Sequence, residues 1–357
     1  MHLRTLCSAI ALLSTTLVNP TNVAATTETA AAVSDHSAVG IRYLSASDPN
    51  GRRDLEGWIW YPTDDTQDER PVLGTAVWAP VKGIENATPA RGRFPLVLVS
   101  HGMYGNTRNQ AWLARGLAQR GYLVAAINHP GSTTYDRRPS ESRRLWERPR
   151  DLSRLLDHLL ADDLWRARVD PERVAAAGHS LGGLTVVRLV GAVGDTERHS
   201  ELCARDANHI DCQALAQLNI GHAEDAEQLN GSDRDPRIRA AVSMDLGGTQ
   251  SLSHASIAAI EVPMLVMGAS RGELINQNRE SKALAALLPT DLVDEFHLAD
   301  TGHFDYLGEC TDKGLLILRE EEPEDAFICE NGTDQRRSKH AVFVETIDAF
   351  LTSRLAQ

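Results

Sequence analysis

The sequence is short of positive charge and of long apolar runs. Its 357 residues carry 36 lysines and arginines against 49 aspartates and glutamates, so the formal net charge is −13 at pH 7. Nucleic acids and anionic lipid surfaces are bound through basic patches, so neither is expected as a partner. No run reaches the roughly 18 consecutive apolar residues that a transmembrane helix needs. The content of 42% hydrophobic and 24% charged residues is typical of a globular chain.

Motifs for phosphate and metal binding are also missing. The chain has no Gly-x-Gly-x-x-Gly loop of the kind that cradles a dinucleotide phosphate. It has no Cys-x-x-Cys, and no pair of histidines has the spacing of zinc ligands. We therefore predict that the protein needs neither a metal nor an organic cofactor.

The first residues have the pattern of an export signal. A positive charge at Arg4 precedes a short apolar stretch at 6–18, and small residues follow at 23–25. This pattern predicts a signal peptide over 1–25 and a secreted or periplasmic protein. Residues 26–38, rich in Thr and Ala, are expected to form a flexible lead-in to one domain over 39–357.

Four cysteines remain once the leader is removed, namely Cys203, Cys212, Cys310 and Cys329. An even number in an exported chain suggests two disulfides, for which three pairings are possible. The local pairing, Cys203 with Cys212 and Cys310 with Cys329, is favoured because it closes two short loops. Four free thiols are the alternative, which suits a cytosolic protein better.

Strands and helices alternate along most of the chain. Residues 55–61 alternate as an antiparallel strand does, and 96–100 are a continuous apolar run, typical of a strand buried on both faces. The order predicts a mostly parallel, doubly wound α/β sheet with helices on both faces. Further strands are predicted at 122–127, 174–177, 240–244, 264–268 and 294–298, and helices at 109–120, 150–163 and 339–353. An insertion at about 194–236 is too long for an ordinary connection, and either covers part of the site or is a solvated excursion.

Gly178-His179-Ser180-Leu181-Gly182 lies between a predicted strand and a predicted helix. In this context Gly-x-Ser-x-Gly is the nucleophile elbow of the α/β-hydrolase fold, in which a strained turn lifts the serine hydroxyl above the sheet. Gly178 and Gly182 leave room for the strand and the helix to approach. Ser180 is therefore the predicted nucleophile.

A serine hydroxyl needs a base, which in this fold comes from a loop after the last strand. His303 in Thr301-Gly302-His303-Phe304 lies there. His297 lies within the preceding predicted strand and is better read as structural. His179 and His129 are interpreted as supporting residues.

Two carboxylates follow strands and could orient the base. Asp245 comes directly after 240–244, whereas Glu273 follows the later strand by five residues and Arg271 occupies the place expected for an acid. A carboxylate at the end of a buried strand is held rigidly, which favours Asp245 as the acid and leaves Glu273 as the alternative.

The oxyanion of acyl transfer must be met by backbone N–H groups. One donor is predicted to be Leu181, the residue after the nucleophile. The other is predicted to be Met103, because His101-Gly102-Met103 follows the strand at 96–100.

The chain resembles bacterial proteins described as predicted dienelactone hydrolases, which are similar to the platelet-activating-factor acetylhydrolase family. The resemblance covers about 39–350 and rests on six segments: Trp60-Tyr61-Pro62, Ser100-His101-Gly102, Asn128-His129-Pro130-Gly131, Arg148-Pro149-Arg150-Asp151, Gly178 to Gly183, and Gly302-His303-Phe304. It implies an acid at Asp245 and an oxyanion hole at Met103 and Leu181. Dienelactone hydrolases use a cysteine nucleophile, and this chain has Ser180 at that place.

These observations predict a secreted serine esterase that forms an acyl-enzyme on a small or lipid-like ester. An amide or polyester hydrolase of the same fold is one alternative. The other is a secreted binding protein that keeps the fold without turnover.

Overall fold

The computed structural model describes residues 38–48, 53–272, 274–330 and 333–356. The predicted signal peptide over 1–25 lies outside these residues. So does the predicted lead-in, apart from Ala38, which begins the first strand. Glu273, the alternative acid, also lies outside them.

A sheet of ten strands runs through the described part of the chain. In chain order the strands are β1 (Ala38–Ala46), β2 (Leu55–Thr63), β3 (Arg70–Val72), β4 (Val81–Glu85), β5 (Phe94–Ser100), β6 (Leu123–Asn128), β7 (Val169–His179), β8 (Ile238–Met244), β9 (Met264–Met267) and β10 (Val293–Phe296). Their order across the sheet is β10-β9-β8-β7-β5-β6-β2-β1-β4-β3. The pairs from β10 to β6 are all parallel, and β2 pairs antiparallel with both β6 and β1.

Helices cover both faces of this sheet. They are α1 (Ala111–Ala118), α2 (Pro139–Ser142), α3 (Glu147–Ala161), α4 (Asp163–Arg166), α5 (Leu181–Leu189), α6 (Thr196–Arg205), α7 (Ile210–Gln217), α8 (Ala226–Leu229), α9 (His254–Ala258), α10 (Ser281–Leu287), α11 (Gly314–Glu321) and α12 (Thr333–Leu355). Short 3₁₀ turns lie at Thr107–Gln110, Ala223–Asp225, Thr249–Ser251, His303–Tyr306 and Pro323–Cys329. None of the helices in the described residues is long and apolar enough to cross a membrane.

Apolar side chains explain this layering. Leu96 and Leu98 of β5 point into the core shared with α3 and α5, whereas Val97 and Val99 point into the core shared with α1 and α12. Both faces of β5 are therefore buried, as its continuous apolar run predicted. On α12 the side chains of Phe343, Ile347, Phe350 and Leu351 are all buried. The doubly wound α/β prediction is confirmed.

Parallel strands bring their carboxyl ends to one edge of the sheet. The turns after β5, β7 and β8 therefore meet there, and the loop after β10 returns to the same edge through a hydrogen bond from the Arg271 amide to the Thr301 carbonyl at 3.0 Å. The residues that the sequence predicts to be catalytic lie at this edge.

The insertion at 194–236 folds as α6, α7, α8 and a 3₁₀ turn. It packs against the same edge: the Tyr104 hydroxyl donates to the Gln217 carbonyl at 3.1 Å, and the Ser142 hydroxyl donates to the Leu218 carbonyl at 3.4 Å. Tyr104 belongs to the turn after β5, so the insertion contacts a loop of the predicted site.

Two disulfides have the local pairing that the sequence favoured. Cys203 pairs with Cys212, which links α6 to α7, and Cys310 pairs with Cys329. The sequence separations are 9 and 19 residues.

Removing either disulfide should lower the free energy of unfolding by about 3 kcal/mol, because loops of this size lose that much entropy when closed in the unfolded chain. Paired serine variants at 203/212 and at 310/329 should each show this loss in denaturant melts. In each variant, reductant should lower the free energy of unfolding further only by the contribution of the one disulfide that is left. Melting of the native chain that is unchanged by reductant would contradict the prediction.

Candidate active site

Ser180 sits in a strained turn between β7 and α5. Its backbone has φ 56° and ψ −122°, a conformation that non-glycine residues rarely adopt. A Cβ placed on Gly178 would lie 2.1 Å from the Gly182 carbonyl oxygen, and a Cβ on Gly182 would lie 2.1 Å from the Ser100 carbonyl oxygen. Both neighbours are backbone, so only glycine fits at the two positions. The Ser180 amide donates to the Met244 carbonyl at 2.9 Å, which ties the turn to β8.

His303 is paired with Asp245. The His303 Nδ1 lies 2.6 Å from the Asp245 Oδ2, and Asp245 is fully buried directly after β8. The other oxygen, Oδ1, accepts the Ala269 amide at 2.7 Å and also the side-chain amide of Gln277. With both oxygens engaged, the carboxylate is locked facing the imidazole.

The loop of His303 is anchored beside the elbow. The His179 ring donates through Nε2 to the His303 carbonyl at 2.9 Å, and the two rings lie 4.5 Å apart between centroids. Burial lowers the pKa of His179 well below its usual value, so this ring is neutral. Residue 303 is thereby held next to the residue that precedes Ser180.

Asp305 connects the same loop to α12. Its Oδ2 accepts the Gly302 amide at 2.9 Å and the Lys339 ammonium at 2.6 Å. Lys339 lies on α12 and also donates to the Asp300 carbonyl at 2.5 Å. Sequence reasoning missed Asp305, Lys339 and Gln277. The position of Asp305, two residues after the predicted base, was the one available signal.

The turn after β5 touches the nucleophile. A Cβ on Gly102 would lie 3.3 Å from the Ser180 Cβ, so this turn and the elbow are in van der Waals contact. Met103 follows in this turn, and Leu181 begins α5 on the other side of Ser180. The Tyr104 amide donates to the Ser132 carbonyl at 3.0 Å, which fixes the turn just after Met103. Of the two residues predicted to offer oxyanion N–H groups, Leu181 directly follows the serine and Met103 directly follows Gly102, which lies near it.

The remaining predicted residues have other environments. His297 lies just past the end of β10, and its Nε2 is 3.3 Å from a Glu295 carboxylate oxygen. His129 is fully buried under the turn after β5. The side chain of Arg271 lies against Gly302, in the loop of the predicted base.

A separate buried cluster is formed by His209, Asp211 and Glu280, whose polar atoms lie within 4.8 Å of one another. Such a set could ligate a cation, but the Asp211 amide donates to the His209 Nδ1 at 3.2 Å. A neutral ring then carries its hydrogen on Nε2, which faces a Glu280 oxygen at 3.8 Å. In this tautomer Nε2 has no lone pair to offer a metal ion, and its hydrogen faces Glu280 from beyond hydrogen-bonding distance.

Burial raises the pKa of Asp211 to about 6 and raises the pKa of Glu280 well above its usual value. A carboxyl with a raised folded pKa is destabilising once it ionises, so the folded state loses stability as the pH rises through about 4 to 6. Asp211→Asn should therefore stabilise the protein at about pH 8, by on the order of 2 to 3 kcal/mol, and have little effect near pH 4. Melting temperatures across this range measure the difference.

Asp157→Asn is the matched control, because Asp157 is an exposed carboxylate paired with Arg237. Its effect should stay within about 0.5 kcal/mol at every pH, as for most surface substitutions. An Asp211→Asn effect that does not change with pH would show that ionisation of this carboxyl plays no part.

The sheet and the positions of the site residues define the fold class of this protein. A parallel sheet with a serine elbow after one strand, a buried acid after the next, and a histidine from a later loop is the α/β-hydrolase fold. Residues 95–197 match the family described as alpha/beta hydrolase fold. The fold of this chain is therefore that of the α/β-hydrolases.

Several known proteins are similar to this chain. Cutinase est2 of Thermobifida alba is 36% identical over 95 residues, which are 26% of this chain and 29% of that protein. A bis(hydroxyethyl) terephthalate hydrolase of Streptomyces coelicolor is 34% identical over 92 residues, 26% of this chain and 27% of that protein. The similar segment thus spans less than a third of either relative.

A ferulic acid esterase from Streptomyces cinnamoneus has a solved structure that superposes with a TM-score of 0.62. The superposition covers 91% of this chain and 93% of that chain at 21% identity. At this identity the likeness extends to the fold alone.

Proposed function

We propose that this protein is a secreted serine hydrolase that cleaves carboxylic esters through an acyl-enzyme. The observation that supports it most is the pairing of His303 with a fully buried Asp245 at 2.6 Å, beside the elbow that carries Ser180. The carboxylate is held by Ala269 and Gln277 through its other oxygen, so it fixes the orientation of the imidazole, which is the role of the acid in a serine hydrolase.

In the proposed reaction the Ser180 hydroxyl attacks the ester carbonyl carbon while the His303 Nε2 accepts its proton. Asp245 holds the ring tautomer and stabilises the imidazolium. The oxyanion is bound by the Met103 and Leu181 N–H groups. The intermediate then collapses, the leaving alcohol takes the proton from His303, and water hydrolyses the acyl-enzyme by the same steps.

The substrate is proposed to be a small or lipid-like ester with an apolar acyl group. A cavity of about 400 Å³ lies between α5 and the insertion, and its lining includes Leu184, Leu215, Ile220 and Leu252. Leu184 is one helical turn after the nucleophile, and its amide donates to the Ser180 carbonyl at 3.2 Å. The cavity therefore begins one helical turn along α5 from Ser180, and its apolar lining suits the acyl chain of such an ester.

A polyester is the second candidate, because the similar proteins include cutinases and a bis(hydroxyethyl) terephthalate hydrolase. A series of nitrophenyl esters of increasing chain length, with a polyester film beside it, separates the two. Preference for a medium chain and no action on the film favours the lipid-like ester. The predicted export signal and the two disulfides support a proposed location outside the cytoplasm.

A fluorophosphonate probe tests the proposal directly. The folded wild-type chain should gain one adduct, which peptide mass spectrometry should place on Ser180, and Ser180→Ala should gain none. Serine hydrolases react because the nucleophile is activated by its base. A folded wild-type chain that is not labelled and cleaves no ester would instead make this a binding protein.

A further inference from the structure

Two motifs of the sequence, Asn128-His129-Pro130-Gly131 and Arg148-Pro149-Arg150-Asp151, take no part in the proposed reaction. They meet beneath the turn after β5, where Arg148 is almost fully buried. We propose that Arg148 is a positioning residue that holds the two sides of the oxyanion hole at a fixed separation. This inference rests on the proposed function.

Arg148 is connected to the nucleophile's side of the hole through Thr185. Its Nε donates to the Thr185 hydroxyl at 2.9 Å, and that hydroxyl donates to the Leu181 carbonyl at 2.8 Å. Thr185 lies one turn along α5 from Leu181. The guanidinium therefore fixes the first turn of the helix whose leading residue is a predicted oxyanion donor.

The other side of the hole is held by the remaining nitrogens. Nη2 donates to the His101 carbonyl, and Nη1 donates to the Ser132 hydroxyl at 2.6 Å. The Ser132 carbonyl in turn accepts the Tyr104 amide at 3.0 Å. The turn is thus held just before and just after Met103, and both attachments lead back to Arg148.

A second set of contacts fixes Arg148 itself. Its Nη2 also donates to the Ser100 hydroxyl at 3.2 Å, and Ser100 lies 2.9 Å from the His129 Nε2. The His129 Nδ1 lies 3.0 Å from Asp151, which Arg53 holds through two hydrogen bonds at 2.6 and 2.8 Å. The hydrogen on Nδ1 faces the carboxylate, so Nε2 accepts the Ser100 hydroxyl.

This Ser100–His129–Asp151 row has the order of a catalytic triad but cannot act as one. All three side chains are fully buried, and the Ser100 hydroxyl already donates to His129 while it accepts from Arg148. Burial and the charges of Arg148 and Arg53 lower the pKa of His129 well below its usual value. The row is a chain of hydrogen bonds through a neutral histidine, and it orients the Ser100 hydroxyl toward the guanidinium.

A guanidinium suits this position because its planar fork can serve four partners at once, which an ammonium cannot. Burial lowers the pKa of Arg148 to about 9, so the group remains charged at neutral pH. Asp151 is its acidic neighbour and balances part of that charge. The Met103 turn and α5 are therefore linked by the geometry of the guanidinium, which bonds to both, and not by its charge alone.

Arg148→Lys separates these roles, since it keeps the charge but loses the fork. We expect kcat on a short nitrophenyl ester to fall by on the order of 10²-fold, the cost of a misplaced oxyanion donor. KM should change by less than about threefold, and the acidic limb of the pH–rate profile should stay in place, because His303 and Asp245 are untouched. Fluorophosphonate labelling should slow in proportion to kcat.

Leu159→Ala is the matched control. Leu159 is a buried core residue on the same helix, α3, so this variant should lower the melting temperature with kcat kept within about threefold. If Arg148→Lys does not fold, Thr185→Val and Ser132→Ala each cut one arm of the network and should each lower kcat by about tenfold.

Folded Arg148→Lys with the kcat of the wild type would overturn the proposal, as would a loss of kcat no greater than that of Leu159→Ala at equal melting temperature. If Arg148→Lys fails to fold, wild-type kcat in both Thr185→Val and Ser132→Ala would overturn it as well. Failure of the proposed function is distinguished from these outcomes, because then the wild-type chain itself neither labels nor turns over.

Discussion

Asp245→Asn is expected to lower kcat by about 10⁴-fold with the fold intact. The Ala269 amide donates to one oxygen of Asp245, so the asparagine oxygen will keep that place and its NH₂ group will face His303. The His303 Nδ1 must then accept a hydrogen bond, which puts the ring hydrogen on Nε2. A ring in that tautomer cannot take the proton of Ser180.

The measurement is kcat on a short nitrophenyl ester, with the melting temperature checked for each variant. Glu273→Gln is the matched control, because Glu273 was the alternative acid in the sequence. It should keep kcat within about threefold, because the carboxylate that pairs with His303 is Asp245. A larger loss from Glu273→Gln than from Asp245→Asn would reassign the acid.

Gly182→Ala is expected to destabilise the protein by about 3 kcal/mol or more and to remove most activity. The added methyl would lie 2.1 Å from the Ser100 carbonyl oxygen and 2.7 Å from its carbon. Neither atom can swing away as a side chain could, so α5 must separate from β5. That movement would displace Leu181 from the turn that carries Met103.

Gly308→Ala is the matched control, because it adds the same methyl group at a position where no atom is in the way. The nearest atom to its added methyl would be 3.7 Å away, an ordinary contact, so stability should change by less than about 0.5 kcal/mol. Denaturant melts of the two variants give the comparison. Equal melting of Gly182→Ala and Gly308→Ala would mean that the strand and helix can move apart freely.

Short-range patterns of the sequence were enough for the elbow and for the layers of the fold. Gly178 and Gly182 flank Ser180 because strand and helix must touch there, and that steric need is local and leaves its mark within five residues. The buried strands likewise show as apolar runs. Strand ends were less accurate: β7 spans Val169–His179 against a predicted 174–177. Pairing with β5 and β8 extends it beyond its apolar part.

Choices between distant residues needed the tertiary structure. Asp245 and Glu273 both follow strands, and only the folded chain shows that Asp245 lies against the imidazole of His303. Gln277 and Lys339 had no local signal, because their partners are far away in sequence.

The sequence by itself determined the fold class, the elbow and the position of the histidine loop, because each depends on neighbours along the chain. The tertiary structure alone decided how the two unassigned motifs are used. Arg148 acts on Ser100, His101, Ser132 and Thr185, which lie on three separate segments. A buried guanidinium finds such partners only when the segments have been packed together, since the hydrogen bonds it requires are set by distance in space and not by spacing in the chain.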